Sequence, residues 1–289
     1  MAGAATPGHN AHVGDILYGT SSWSSKGWVG PFYTAGTRPA EMLGQYSQAF
    51  GTVEADTTYY RVPSAKTVDG WREALPEGFV MSAKFPRSVV HGGKGPRPDG
   101  SVLLSPQVLA DDGQRFVEVM ARLGDRCGPL VLQFPYLNRT VFTSQGAFLE
   151  RLDRCLEGLP AGFSYAVELR NQAWIDQRLI SLLAAHGVAL VLVELSYMTH
   201  PAEWAERFDP LCADFTYCRL IGDRKAVEAK TTVFDRIVVD QTPSLERWAG
   251  LLKGLTQRVD RVYAYANNHY AGHGPETIRQ LADLVAARP

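Results

Sequence analysis

Eight short apolar runs, spread along the whole chain and each ending in polar residues, limit the folds open to it. They are ILYGTSS (16–22), TVEADTTYY (52–60), FVMSAKF (79–85) and PLVLQFP (129–135), then SYAVELR (164–170), VALVLVEL (188–195), FTYCRLIG (215–222) and RVYAYANN (261–268). Several are apolar on both faces, as parallel strands covered on both sides are. The segments between them carry helical spacing instead. Leu43, Tyr46 and Phe50 recur in this way, as do Val68, Trp71 and Leu75, and Phe148, Leu152 and Leu156. Phe116, Met120 and Leu123 mark another helix, Leu245, Trp248, Leu252 and Leu255 a later one, and Ile278, Leu281 and Val285 the last. Thr37, Thr67, Ser105, Thr143 and Ser244 stand where N-caps are wanted, and Pro39 and Pro106 where a first helical turn tolerates proline.

Eight strands alternating with helices in 289 residues predict a single-domain α/β chain, a TIM-type (β/α)8 barrel. An open doubly wound sheet is the competitor, but the first strand-to-helix turn has no GxGxxG fingerprint. The domain is expected to span 15–289, after a disordered tail over 1–14 in which His9 and His12 are bystanders. Residues 223–242 read as an inserted loop with a short strand or turn of its own.

Composition narrows the partners. The chain is 45% hydrophobic with a formal net charge of -1, enough for a large core and without the basic excess of a nucleic-acid protein. Cys127, Cys155, Cys212 and Cys218 form no CxxC pair and suit buried free thiols in a reducing cytosol. Residues 1–14 lack the basic start and apolar stretch of a signal peptide. No run approaches the ~18 apolar residues of a membrane span. A cytoplasmic protein that binds neither nucleic acid nor membrane is the expectation, and the oligomeric state is left open.

The carboxyl ends of barrel strands and the loops after them build active sites, and here no strand end lacks a polar residue. In order they are Thr20–Ser22 with Trp23, Glu54 with Asp56, Lys84, Gln133, Glu168 with Arg170, Glu194, Arg219, and Asn267 with Asn268. Alternation along a strand puts Glu54 and Asp56 on one face. Buried charges must be paired, so some of these groups serve one another. As a set they exceed what a barrel interior of branched aliphatics needs, and a pocket is the stronger reading. Arg170 or Lys84 is the expected partner of Glu54.

Several stretches carry a resemblance. They are GTSSW followed by Trp28, Gly30, Phe32 and Tyr33; VEADTTYYRVPS, with Val53, Glu54, Thr58, Tyr59, Tyr60 and Pro63; then Trp71, Lys84 and His91; and, further on, GPLVLQFP, VELR with Trp174, YCRLIG and ANNHYAG. In this order, from about Leu17 to Val285, the chain resembles the YecE-like family, domain of unknown function 72. The resemblance implies a TIM-barrel-like fold and names no reaction. Many relatives have histidine where this chain has Asn171 and Ile221, and aspartate where it has Glu194.

Three chemistries fit the pattern. In the first, metal-free hydrolysis or elimination, Glu54 and Glu168 are the acid and base, with the ligand between them. Lys84, Arg170, Arg219, Asn267, Asn268, Gln133, His91, Trp23 and Tyr60 then bind a small phosphate- or carboxylate-bearing substrate. The basic loop 84–97, with Arg87, His91, Lys94 and Arg97, would be an anion-binding lid, and no cofactor is required. In the second, a divalent ion sits on Glu54, Glu168, Glu194 and His269 and serves a phosphoesterase or sugar isomerase, although the chain has no HxH or HExxH. The third is binding without catalysis. His186 reads as structural and His200 as exposed. Gly272 and Gly274, around His273, suit a backbone phosphate site, and Trp71 and Trp248 read as core.

Overall fold

The computed structural model describes residues 13–93 and 95–287; His9, His12, most of the expected tail and Lys94 lie outside them. Its strands are β1 Asp15–Thr20, β2 Thr52–Ala55, β3 Val80–Lys84, β4 Cys127–Gln133, β5 Tyr165–Glu168, β6 Ala189–Leu195, β7 Phe215–Gly222 and β8 Arg261–Ala266. They alternate with α1 Pro39–Tyr46, α2 Ala65–Ala74, α3 Gln114–Met120, α4 Gln145–Glu157, α5 Gln177–Ala185, α6 Pro201–Arg207, α7 Thr242–Thr256 and α8 Gly274–Ala287. The strands form one parallel sheet in the order β1-β8-β7-β6-β5-β4-β3-β2. That is the expected barrel.

Each predicted run overlaps its strand, although β1 and β4 begin before theirs, at Asp15 and Cys127, and the second is shorter than its composition suggests. β2 stops at Ala55, and Asp56–Tyr59 turn as a 3-10 helix. Thr58, though β-branched, closes that turn by placing its hydroxyl 2.8 Å from the Ala55 carbonyl. Asp56 therefore leaves the face on which simple alternation puts it beside Glu54. β2, β3 and β5 are buried throughout, because helices cover them outside and side chains fill the barrel within.

The helix starts follow capping chemistry, often one to three residues from the expected position. Ser105 caps as predicted and accepts from Val108 N. Ser64 and Ser144, rather than Thr67 and Thr143, cap α2 and α4. Ser244 lies inside α7, where its hydroxyl donates to Glu194 at 2.7 Å. The 223–242 connection holds no strand. It forms a short helix, Arg224–Glu228, capped by Asp223, and is pinned where Val238 N donates to the Ala271 carbonyl at 2.7 Å.

The sheet closes between β1 and β2 without a backbone ladder. Tyr46, fully buried at the end of α1, spans that seam. Its hydroxyl accepts from Thr20 N at 2.8 Å and donates to the Thr52 carbonyl at 3.1 Å. Gly19 permits the approach, since a Cβ there would stand 2.2 Å from the Thr52 oxygen. Elsewhere the core is conventional, with Trp204 and Trp248 buried beneath α6 and α7. Full burial of such a side chain contributes roughly 1.5–3 kcal/mol. The four thiols are unpaired, three of them buried. Among the described residues no helix is long and apolar enough to cross a membrane.

Candidate functional site

The barrel interior is built in two polar layers. In the lower one, Tyr217 and Tyr265 pack with ring centres 4.9 Å apart. The Tyr265 hydroxyl lies 2.7 Å from Thr52 Oγ1 and 2.8 Å from Ser82 Oγ, and Thr52 passes the chain on to the Val80 carbonyl at 2.7 Å. Hydroxyls on β2, β3 and β8 thus satisfy one another where a usual barrel is aliphatic. Burial drives the Tyr217 and Tyr265 phenols well above their ordinary range, so both stay neutral donors.

The upper layer is ionic and centres on Arg219. Its Nη2 donates to Glu54 Oε1 at 2.8 Å and its Nη1 to Gln133 Oε1 at 2.9 Å, with a further bond from Nη1 to Glu168 Oε2. Glu54 Oε2 accepts from the Tyr217 hydroxyl at 2.8 Å, and Glu168 Oε1 from Arg170 Nε at 3.0 Å. Both carboxylates are fully buried, and every carboxylate oxygen has a donor. The guanidinium therefore occupies the space between Glu54 and Glu168 that the sequence reading assigned to a ligand. The principal partner of Glu54 is Arg219, not Arg170; Lys84 Nζ stands farther off, at 3.8 Å.

Burial works to raise the Glu168 carboxyl, but Arg219 and Arg170 outweigh it and hold the group below its usual range. Arg219 is the reverse case. Burial disfavours its charge, and Glu168 with Glu54 more than restores it. Glu168 is thus held as a carboxylate by its two arginine partners. Above this floor the shifts run the other way. Burial, opposed by Lys84, raises Asp56. Burial, opposed by Glu54 and helped by Arg219, lowers Lys84.

A cavity of about 690 Å³ opens over the floor at the carboxyl ends of the strands. Lys84, Gln133, Arg170, Arg219, Asn267 and Tyr60 line it as expected. Asp56, Tyr59, Tyr197, Arg224, Lys225 and His269 line it too, and the ligand-binding set read from the sequence omitted them. The signal for three of these lay in the Gly-Asp-Arg-Lys stretch after β7 and in the histidine of NNH. Tyr197 sits in a loop without pattern and gave none. Tyr60 and Tyr197 are exposed at the rim, so their faces are open to stacking.

Three expected contacts lie elsewhere. Trp23 is buried edge-on against Trp71, 5.6 Å between ring centres, because the loop after β1 folds back over α2. His91 is buried beside Arg87 and accepts from Gly93 N at 3.3 Å. Residues 87–90 form a helical turn, and of the described residues in the supposed lid 84–97 only Lys84 reaches the cavity. Asn268 is a structural acceptor, taking Trp28 Nε1 at 3.1 Å and Gly274 N at 2.9 Å. Since Gly274 N is used this way, and Glu276 N faces His273 Nδ1 at 3.3 Å, the start of α8 caps itself and has few donors to offer a phosphate. His200 is buried rather than exposed. It caps α6 through Nδ1 and lies 3.6 Å from Glu194.

The four supposed metal ligands do not converge. Glu194 turns out toward α7, accepting from Ser244, from Trp248 Nε1 at 2.6 Å and from the Tyr270 hydroxyl at 2.8 Å. His269 lies 3.1 Å from Glu228. Among the described residues no cluster of three or more His, Cys, Asp or Glu side chains is arranged to hold a metal ion.

Comparison with known proteins follows the fold. The family model described as "Protein of unknown function DUF72" matches residues 17–289. UPF0759 protein YecE of Escherichia coli K12 is 28% identical over 184 residues, 62% of this chain and 59% of that protein; the match thus spans less than two thirds of the relative's length. A DUF72 family protein from Thermotoga maritima MSB8 superposes with a TM-score of 0.67 at 22% identity, over 94% of this chain and 99% of the other. One from Enterococcus faecalis V583 gives 0.68 at 19% identity, over 96% and 100%. At these identities the likeness is one of fold.

Proposed function

Because the chain belongs to the DUF72 family, whose description names no activity, we propose a function from the geometry of the mouth itself. The barrel binds a small phosphate- or carboxylate-bearing molecule there and acts on it by metal-free proton transfer, as a hydrolase or lyase. One observation carries this reading. The floor sets Arg219 and Arg170 against two fully paired carboxylates, and the cavity above adds Lys84 and Lys225, with Arg224 held by Glu228 at 2.7 Å and Asp56 and Asp223 on the same wall. The Nη side of Arg170 and the Lys225 ammonium attract an anion into this partly desolvated site, where Arg170 can offer a fork. Glu54 and Glu168 are then counterions that hold Arg219 rigid. Proton transfer falls to Asp56 and Lys84, whose environments favour the neutral acid and the neutral amine.

The test is thermal denaturation against inorganic phosphate and small carboxylates. A bound anion raises the midpoint with concentration. The rise should shrink in Arg170→Ala and Lys225→Ala and fall with added salt. No response to any anion would overturn the proposal. Binding without turnover is the second reading. It is favoured by the saturation of both buried carboxylates, and it predicts the same midpoint shifts with no product formed.

A further inference from the structure

We propose that Lys84 is a nucleophile that forms an imine with a carbonyl compound bearing an anionic group, of the 2-oxo acid or keto-sugar phosphate class. This rests on the anion-binding reading above and gives its substrate a functional group. The argument begins with valence. Among the fully buried side-chain polar atoms of the floor only Arg219 Nε lacks a hydrogen-bond partner, whereas the Lys84 ammonium has three donors and, among the described residues, no hydrogen bond. Its nearest acid oxygen, on Glu54, is 3.8 Å away, beyond hydrogen-bond range, and that oxygen already accepts from Arg219. A lysine kept only as a counterion would close that gap.

The rest of the residue is held still. Its backbone N–H donates to Thr58 Oγ1 at 3.0 Å, and its carbonyl lies 2.7 Å from the same hydroxyl. The side chain is 10% exposed and opens into the cavity, with the Tyr59 ring 5.8 Å from Nζ. Burial and Arg219 favour the uncharged amine, the form that attacks a carbonyl. An exposed lysine keeps roughly one part in a thousand neutral at physiological pH, and any depression raises that fraction.

The step balances with groups already on the cavity wall. The Nζ lone pair bonds to the carbonyl carbon while the carbonyl oxygen takes a proton from the Asp56 carboxylic acid, giving a carbinolamine. One amine proton passes to Asp56, which delivers it to the carbinolamine hydroxyl; water leaves, giving the protonated imine with Asp56 as the carboxylate. Arg170 and Lys225 hold the anionic end. The imine then acts as an electron sink for cleavage or elimination next to the former carbonyl, so the proposal selects the lyase branch.

Two anionic carbonyl probes, pyruvate and pyridoxal 5'-phosphate, test this on the intact protein with borohydride reduction and peptide mass mapping. A reduced imine adds the mass of the probe less one oxygen atom. The expected label falls on Lys84 ahead of the exposed lysines. It is competed by inorganic phosphate and slowed in Asp56→Asn. Lys84→Arg, which keeps the charge, should lose the label while retaining a cooperative melt. If pyruvate or phosphate raises the midpoint while Lys84 stays unlabelled, or is labelled no faster than exposed lysines, the imine is refuted and anion binding stands. If no anion raises the midpoint, the anion-binding reading fails, and the imine with it.

Discussion

Replacing Arg219 by Met isolates what holds the mouth together. The change removes the bonds from Arg219 to Glu54, Glu168 and Gln133 and leaves two carboxylates that are fully buried. Glu54 keeps the Tyr217 hydroxyl and Lys84 at 3.8 Å, and Glu168 keeps Arg170. Breaking a buried pair from one side costs about 3–5 kcal/mol. For a domain of this size that lowers the melting midpoint by roughly 5–8 °C. The penalty has a pH signature. In the intact protein Glu168 sits below its usual range because Arg219 and Arg170 outweigh burial. Its contribution is therefore complete above the ordinary carboxylate pKa and is lost as pH falls through the depressed folded value. Without Arg219, burial dominates and raises Glu168. The penalty then belongs to high pH and fades as the group takes up a proton. Urea unfolding at pH 8 and pH 5 should show the gap between variant and parent narrowing at the lower pH. Adding Glu54→Gln and Glu168→Gln should recover most of the loss, since a neutral floor has no unpaired charge. A gap below about 1 kcal/mol, or one that widens toward pH 5, would refute this account of the floor.

Three further outcomes are expected. Tyr46→Phe strands the Thr20 amide and should cost about 1–3 kcal/mol, with faster hydrogen exchange at Thr20; unchanged exchange there would remove Tyr46 from the seam. Gly19→Ala drives a Cβ to within 2.2 Å of the Thr52 carbonyl and should cost about 3 kcal/mol or more, measured by denaturant midpoint, a near-neutral result counting against the close approach. Asn268→Ala removes the acceptor at the start of α8 and on the Trp28 indole and should cost about 1–2 kcal/mol with altered tryptophan fluorescence, while anion binding stays intact; lost binding with stability unchanged would make Asn268 a ligand contact after all.

The barrel was legible because its strands are periodic and apolar, and this held even at 215–222, where the strand matches its run residue for residue. The polar strand ends were legible as a class, since charged residues inside apolar runs stand out. Their pairing was not. Whether Arg219 reaches Glu54 or leaves it for a ligand depends on distances across the barrel that no local pattern encodes. Asp56 shows a second limit. Alternation put it on the face of Glu54, but the 3-10 turn lifted it onto the cavity wall. The shared look of Asn267 and Asn268 hid opposite roles, one beside the mouth and one beneath α8. Trp23 and His91 looked like pocket residues and are buried by loop packing.

The seam at Tyr46 bears on how the barrel comes to be closed. From β3 round to β8 each strand pairs with its predecessor in sequence, so those contacts are local and can form progressively. β1 instead pairs with β8, almost the whole chain away, and closing so long a loop is entropically slow. The phenol bridge joins Thr20, Tyr46 and Thr52 at sequence separations of only 26 and 6, so it can form before β1 reaches β8. Tyr46 is therefore expected to act early, holding β1 beside β2, and its loss should slow folding as well as speed unfolding. A single oxygen would then keep the first strand in place for the last pairing to find.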